Sequence, residues 1–327
     1  MTPLLNQWTY QAMVHELIGT EKNTVDLQGR EEVPKDMRKI TLSGNSDEFY
    51  KLNMYENFGD IGKRIQDLVK NFQEKVKGHQ KLDSINDIKD FITNYPDFKK
   101  MSGTVSKHVA LMGELSKEVT KNDLLNISEL EQNIACGSER DANFQQLLQI
   151  VGNSANIREK DALRLVALFT VRYGQDIEKH LDRLCKSVKG VSRKEVYDVI
   201  LMVNKYSRIK SRHLFDAKSS YFAPINYFKG IKGAENVYTQ HQPLISKEIL
   251  PDIIRGKQRT DLNYLRQAES TNKVIVFIIG GLTYEETRAV AMFNKENASN
   301  VVIGGTSILN FDSFMHSVNE ACSQSSE

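Results

Sequence analysis

The sequence predicts a mostly α protein with a small, partial α/β element near its C-terminus. Apolar residues recur every three or four positions through most of the first 207 residues, whereas β-branched runs that end in glycine pairs occur only after residue 272. Composition agrees with a folded globular chain, because 40% of the 327 residues are hydrophobic and 26% are charged. A chain of this length is expected to form about two domains.

Helical patterns begin at the N-terminus. A capped start followed by an apolar face predicts a first helix to about Leu17. After a capping sequence at residues 45–48, apolar spacing predicts one long amphipathic helix from Phe49 to Val76. A further helix follows, and Pro96 should bend or stop it because proline disfavours helical geometry in the preceding residue.

The strongest periodic signal follows this proline. Six apolar residues and one histidine follow one another at alternating spacings of three and four, as in the seam of a heptad repeat: Phe98, Met101, Val105, His108, Met112, Leu115 and Val119. Val105, Val109 and Met112 also lie along one edge, while Leu111 points elsewhere, so one intramolecular contact need not cover every apolar side chain. Two interpretations stay open: both faces pack inside a helical bundle, or one face binds a helix of another protein.

Shorter elements complete the helical part. Two β-leaning segments, Thr24–Leu27 and Lys39–Leu42, predict a small hairpin. Shorter apolar patterns predict helices over 127–135, 141–151, 159–173, 176–188 and 192–206, and more weakly over 244–254.

The C-terminal residues predict a β-α-β unit. Val274–Ile279 is a β-branched run ended by Gly280-Gly281, which is typical of a strand buried on both faces, and residues 300–306 predict a second strand. Thr283–Glu286 caps the helix between them. A parallel sheet usually has about four to six strands, so this sheet is incomplete and the chain is expected to be a fragment of a longer protein.

Charge and composition exclude several function classes. The 44 basic and 42 acidic residues give a net charge of +2 and interleave along the chain, so a nucleic-acid partner is not expected. The longest apolar run is far shorter than the roughly 18 residues of a membrane helix, so no transmembrane segment is expected. Three scattered cysteines favour a reducing, cytoplasmic compartment.

The candidate catalytic and cofactor motifs are incomplete. His15-Glu16 opens like the H-E-x-x-H helix of zinc proteases, but Gly19 stands where the second histidine belongs, so we predict no metal site. The glycine pairs at 280–281 and 304–305 end strands where a phosphate could bind, yet no complete nucleotide motif accompanies them. We predict no catalytic residue and no cofactor, and a nucleotide-binding α/β enzyme that uses these turns stays the alternative.

Longer stretches of the sequence resemble a known family. They are Thr2–Leu17, Tyr95–His108, Gly233–Pro243, and Val274–Gly281 together with Gly304–Thr306. These stretches are similar to the SM family of Sec/Munc-type syntaxin-binding proteins, and the resemblance runs from end to end of the chain. It implies an arch of three domains, in which a mostly helical third domain interrupts a central domain with a parallel sheet.

The resemblance also implies a division of the chain into four parts. Residues 1–20 would be the exit helix of the central α/β domain, and 21–120 the first half of the helical domain with a long helical hairpin. Residues 121–265 would be the second half of the helical domain, and 266–327 the C-terminal part of the central domain. The first domain and the first half of the central domain would then be absent, which accounts for the missing strands.

A function and a site follow from the same resemblance. SM proteins are not enzymes; they bind syntaxin-type and other SNARE proteins, and the implied role is to template SNARE assembly in vesicle docking and fusion during endosomal and vacuolar protein transport. The implied location is cytoplasmic, peripheral at Golgi and endosomal membranes and reached only through partners. In the family the hairpin tip and its second helix contact SNARE helices. The matching positions are Tyr95, Pro96, Asp97 and Phe98 at the tip, and Val109 as the exposed position of the second helix with Val105 and Met112 beside it.

Overall fold

Helices dominate the part of the chain that the structure, a computed structural model, describes, and the prediction of a mostly α protein with a small α/β element is confirmed. The described residues are 2–30, 33–79, 85–136, 139–152, 157–210, 243, 245–259, 262–266 and 269–324. Contacts divide the chain into two units: Gln7–Thr120, which we name the hairpin unit, and Met1–Asn6 with Lys121–Glu327, which we name the sheet unit. The predicted four-part domain division stays a prediction.

The hairpin unit opens with a helix that changes pitch. α1 (Tyr10–Met13) continues as a π-helical turn over Val14–Ile18, which ends at Gly19 with a φ of 98°. The predicted first helix is therefore helical from Tyr10, whereas Thr2–Leu4 forms a separate 3-10 turn in the sheet unit. After this helix, the small hairpin predicted from residues 24–27 and 39–42 is confirmed.

Two short strands form this hairpin. β1 (Thr24–Asp26) and β2 (Lys39–Thr41) are antiparallel, and Val25 pairs with Ile40. Both of these side chains are buried, while their neighbours in the strands are half-buried or exposed. The hairpin thus presents one apolar face to the core of its unit.

The single long helix predicted from Phe49 to Val76 is two helices, α2 (Glu48–Asn53) and α3 (Phe58–His79). The backbone between them bonds to the N-terminal segment instead of continuing the helix: the carbonyls of Met54 and Glu56 accept from the amides of Gln11 and Tyr10, at 3.0 and 2.9 Å. The apolar spacing runs through this break, which is why periodicity alone did not reveal it.

The next helix, α4 (Ile85–Lys121), is 37 residues long and passes through Pro96. Of the two predicted outcomes, a bend or a stop, the stop does not occur, and the bend stays a prediction. Proline in a helix interior costs about 3 kcal/mol, because it removes one donor and crowds the preceding turn. Packing beyond the proline offsets part of this cost, since Phe98 stacks on Phe72 of α3 with the ring centroids 5.2 Å apart.

The sheet unit holds the remaining helices, and one of them is central among its neighbours, as the apolar pattern predicted. Its next six helices are α5 (Leu124–Cys136), α6 (Arg140–Val151), α7 (Glu159–Tyr173), α8 (Leu181–Ser187), α9 (Arg193–Lys210) and α10 (Leu250–Ile254). A 3-10 turn, Gly174–Lys179, precedes α8, and a π-helical turn, Ile245–Ile249, precedes α10. The central helix is α7, whose neighbours include α5, α6 and α9 and whose residues from Leu165 to Thr170 are all buried.

A buried ionic network ties the N-terminal segment to this helix. The fully buried Arg164 donates to Glu131 of α5 at 3.0 Å, to Asp161 at 2.5 Å and to the side chain of Asn6 at 2.6 Å. The amide of Asn6 in turn donates to the Glu131 carboxylate at 2.7 Å. Burial raises the pKa of Glu131 to about 7, although Arg164 opposes the shift. Buried charges persist where they are paired in this way.

The predicted β-α-β unit is present. β3 (Lys273–Ile278), α11 (Tyr284–Asn297) and β4 (Asn300–Gly305) follow in order, and the strands are parallel with Val274 beside Val301. A last helix, α12 (Phe311–Gln324), follows β4. None of the helices in the described part of the chain is long and apolar enough to cross a membrane.

The two faces of this sheet differ in burial. The inward face packs on a cluster that includes Leu250, Val290 and Phe293. The outward face exposes its apolar side chains: Ile275 is 85% exposed and Phe277 64%. Within the described residues, the prediction that the first strand is buried on both faces is therefore wrong, and its one-sided cover agrees with a sheet of few strands.

Candidate partner-binding helix

The predicted heptad seam is the buried face of α4. All seven predicted positions are buried or half-buried, and they are Phe98, Met101, Val105, His108, Met112, Leu115 and Val119. Leu111, which the spacing placed away from the seam, is also fully buried. The buried face is therefore wider than one seam, and it widens towards Leu111 and away from Val109.

The three predicted second-helix positions differ in exposure. Val109 is 44% exposed, as the resemblance implied, and Met112 is half-buried. Val105 is only 9% exposed, and its contact with a partner stays a prediction. On the helical wheel Val105 lies between Val109 and His108, at the edge of the buried seam to which it belongs.

The four predicted tip residues do not lie at the tip. α3 ends at His79 and α4 begins at Ile85, with the residues between them outside the described part of the chain, whereas residues 95–98 lie within α4, about three helical turns after its start. Tyr95 is 50% exposed and Pro96 and Asp97 are also exposed. Phe98 packs on α3. Whether any of them contacts a partner stays a prediction.

A second row with heptad spacing runs along the exposed side of α4, and the sequence reasoning missed it. We name it the outer row; its positions step by four and three residues and are all exposed or half-buried: Tyr95, Lys99, Ser102, Ser106, Val109, Gly113, Ser116 and Thr120. Most of its residues are small or polar, so a search for apolar periodicity does not detect it. The same three-four stepping in small residues was the available signal.

Two glycines leave the backbone uncovered on the exposed side of α4. An added Cβ at Gly103 or at Gly113 would meet no described atom within 4 Å. Glycine inside a helix is about 1 kcal/mol less favourable than alanine, so packing within the described residues does not explain these two positions. At Gly113, which belongs to the outer row, the backbone is open to close approach by another chain.

Polar contacts of His108 and Lys107, which precede Val109 in the chain, fix α4 to neighbouring parts of the hairpin unit. The buried ring of His108 lies 2.7 Å from the hydroxyl of Tyr10 through Nδ1, and 3.0 Å from the carboxylate of Asp47 through Nε2. Lys107 pairs with the same carboxylate, which also caps α2 by accepting from the amide of Tyr50 at 2.9 Å.

The electrostatics of this cluster fix the protonation of the histidine. Burial lowers the pKa of His108, and Asp47 opposes the shift only in part. Burial alone would raise the pKa of Asp47, but hydrogen bonds from His108 and Lys107 lower it well below its ordinary value. Asp47 is thus ionised and can only accept, so Nε2 of a neutral His108 donates to it and Nδ1 accepts from Tyr10.

Comparison with known proteins supplies the family. Residues 1–317 match the model of the Sec1 family. The chain belongs to the Sec1 family. Its resemblance to Sec/Munc-type syntaxin-binding proteins is thereby confirmed.

Relatives of this Sec1 family chain share one name. Vacuolar protein sorting-associated protein 45 of Rattus norvegicus is 43% identical over 327 residues, which cover 97% of this chain and 57% of the relative. The homolog of that protein from Arabidopsis thaliana is 40% identical over 98% of this chain and 58% of its own length. The chain thus spans a little over half the length of these relatives.

Solved structures share the fold. The structure named "SM Protein Vps45 in Complex with Qa SNARE Tlg2 (1-310)" has a TM-score of 0.83 and 36% sequence identity, covering 98% of this chain and 57% of that chain. The structure named "Structure of the SM protein Vps45" has a TM-score of 0.75 at 36% identity, covering 98% of this chain and 55% of that chain.

The glycine turns of this Sec1 family chain have a packing role. An added Cβ at Gly281 would collide with the Ser307 hydroxyl, and one at Gly305 would lie 2.7 Å from Leu282. At the start of α11, the carboxylate of Glu286 accepts from the amide of Thr283 at 2.7 Å. A negative side chain therefore already occupies the helix end where a phosphate would bind.

No metal site is found at the histidine motif. His15 Nδ1 lies 2.9 Å from the hydroxyl of Thr20, a contact within the turn that ends the first helix. Across the described residues, no group of three or more His, Cys, Asp and Glu side chains could hold a metal ion.

Proposed function

We propose that this chain is the SNARE-binding part of a Sec1 family protein that acts in vesicle docking and fusion during endosomal and vacuolar protein transport. The names of its relatives support vacuolar protein sorting, and one similar solved structure is a complex of Vps45 with the Qa SNARE Tlg2. The single observation that carries the proposal on this chain is the outer row of α4, with Val109 exposed at its centre.

The outer row suits a helix with heptad spacing. Two helices pack along a seam when their contact positions repeat every 3.5 residues, and the outer row repeats in this way over about seven turns. Small residues let two backbones approach closely, and Val109 supplies an apolar contact between them. A SNARE helix, which has apolar positions in the same spacing, fits this surface better than an irregular peptide does.

The mechanism we propose is templating. The inner face of α4 is buried along its seam, so its outer row is rigid before a partner arrives. A preformed surface that holds two SNARE helices in register removes part of the entropy that opposes their association. No covalent step is required, and the chain acts without catalysis. It would work on the cytoplasmic side of Golgi and endosomal membranes, which it reaches through its partners.

The alternative, a nucleotide-dependent enzyme, is less well supported. Glu286 occupies the helix end that a phosphate would need, and Gly281 and Gly305 are explained by close packing. Equilibrium titration with labelled ATP, GTP and NAD tests it. Tight binding with turnover would overturn the proposal of a non-enzymatic protein.

The two open glycines provide a sharp test of the site. Gly113→Gln adds bulk within about 40° of Val109 on the helix, whereas Gly103→Gln adds the same bulk about 120° away. Both variants should raise the free energy of unfolding, by about 0.5 kcal/mol, because glutamine favours helix. Only Gly113→Gln should weaken capture of purified SNARE cytoplasmic regions by the immobilised chain, about tenfold.

The outcomes of this capture experiment separate the site from the function. If both variants capture SNARE regions as well as the unchanged chain does, the binding surface lies elsewhere than the outer row. An equal loss in both would also remove the outer row as the site. If the unchanged chain captures no member of a broad SNARE panel, the proposed function fails.

A further inference from the structure

We propose that His108 is a positioning residue, which fixes the register of α4 against its neighbours and thereby the place of the outer row. The consequence for partner binding rests on the proposed function. The register itself is a property of this chain alone, so the two can be tested separately.

The apolar seam does not define one register by itself. Val105, Met112 and Val119 follow one another every seven residues, so a slip of α4 by seven residues replaces one apolar side chain by another. Such a slip moves the helix by about 10 Å. In the second series of the seam, Met101 and Leu115 lie seven residues on either side of His108, which is polar.

His108 is the seam residue that distinguishes these registers. Tyr10 from α1 and Asp47 from the start of α2 contact its two ring nitrogens at 2.7 and 3.0 Å. After a slip, Met101 or Leu115 would face this hydroxyl and carboxylate and could bond to neither. Buried polar groups that lose their partners carry a large penalty, and one buried polar residue is known to set the register of coiled coils.

The other polar contacts of α4 are less specific. Arg30 pairs with Glu114 at 3.1 Å and with Glu118 at 3.0 Å, but a quarter of its side chain is exposed. Partly exposed ion pairs contribute little, and the long arginine side chain can follow its partners. Lys107 reaches Asp47 from outside the seam and is similarly flexible. The rigid ring of His108 is held from two directions and leaves no such freedom.

Val109 follows His108 directly, which links the register to the candidate site. A slip of seven residues would displace Val109 and Gly113 together by about 10 Å relative to the rest of the hairpin unit. The spacing within the outer row would stay the same, but the position of the row relative to the rest of the hairpin unit would change. A template that must align two helices needs this place to be unique.

The test replaces the polar contact by apolar groups of similar shape. In the double variant Tyr10→Phe/His108→Leu, Asp47 keeps its bonds to Lys107 and to the amide of Tyr50. In the rescue variant His108→Gln, the amide can donate to Asp47 and accept from Tyr10. Arg30→Gln is the matched control, because it removes the partly exposed contact and leaves the ring in place.

Distances measured by electron paramagnetic resonance report the register. Spin labels are placed at Lys70→Cys on α3 and Ser106→Cys on α4, both exposed positions, after the three native cysteines are replaced by serine. One narrow distance is expected for the unchanged chain, for His108→Gln and for Arg30→Gln. The double variant should show a second population, displaced by up to about 10 Å. A single unchanged distance in the double variant would overturn the proposal, and so would its failure to fold, because stability rather than register would then depend on the ring.

Capture of SNARE cytoplasmic regions is measured on the same variants without labels. It should fall at least fivefold in the double variant and return with His108→Gln. A loss of capture with an unchanged distance would refute the positioning role. If the unchanged chain captures no SNARE while the distances behave as expected, the proposed function fails and the positioning role stands.

Discussion

Among the described surfaces that expose apolar side chains, the outer row of α4 and the outward face of the C-terminal sheet are built differently. The outer row of α4 consists mostly of small or polar residues, with Val109 as its main aliphatic contact. The outward face of β3 and β4 carries large apolar side chains at successive outward positions, with Phe277 64% and Ile279 84% exposed. The first surface can meet water without a partner, whereas the second has the composition of a sheet that is covered on both faces.

The difference teaches that exposure alone does not identify a site for a reversible partner. A surface that binds and releases must be stable when it is empty, which favours scattered apolar contacts in a polar row. A contiguous apolar sheet face is more typical of permanent cover. The resemblance to SM proteins predicts such cover, because the rest of the central domain would then complete this sheet.

The largest expected effect on stability comes from substitutions on the buried face of α4, opposite the outer row. Leu115→Asp places a carboxylate in the fully buried seam and should destabilise the hairpin unit by several kcal/mol. Met101→Asp should cost less, because Met101 is half-buried. Urea unfolding and hydrogen exchange along α4 measure both. Unchanged exchange protection in Leu115→Asp would mean that α4 does not pack by this face.

The next effect sharpens the contrast between the faces of the sheet. Val301→Ala on the inward face should lower the free energy of unfolding by about 2 kcal/mol, because it removes two buried methyl groups and leaves a cavity. Phe277→Ser on the outward face should change it by no more than about 0.5 kcal/mol. Thermal unfolding of the sheet unit measures both. Equal losses would show that the outward face is covered in solution.

Much of this architecture could be predicted, because packing follows side-chain periodicity. The seam of α4 and the order of the β-α-β unit are confirmed, since each depends on local spacing. The break between α2 and α3 could not be predicted, because the amides of Tyr10 and Gln11 compete for its carbonyls over a long sequence separation. Long-range backbone pairing leaves no periodic trace in the sequence.

The site was harder to predict than the fold. The resemblance identified Val109 as an exposed position, and the heptad seam already placed Val105 on the buried face, but periodicity could not show that residues 95–98 lie within α4. The stop that local propensity favours at Pro96 does not occur, because packing on α3 keeps the helix continuous. The outer row was missed because its residues are small, and only the structure shows which side of α4 is open.

The smallest expected effect on stability is also the most informative about function. Val109→Asp should change the free energy of unfolding by about 0.5 kcal/mol, because Val109 is 44% exposed and the new carboxylate can stay hydrated. In a complex with a SNARE helix the same carboxylate would lose water against apolar side chains, so capture should fall at least tenfold. Gly103→Asp, which adds the same charge at an open position about 120° away, is the control and should capture normally. If Val109→Asp unfolds like Leu115→Asp, Val109 belongs to the packed face. If it folds and captures as well as the control, Val109 is exposed for a reason other than this partner, and the comparison between the two surfaces must be drawn again.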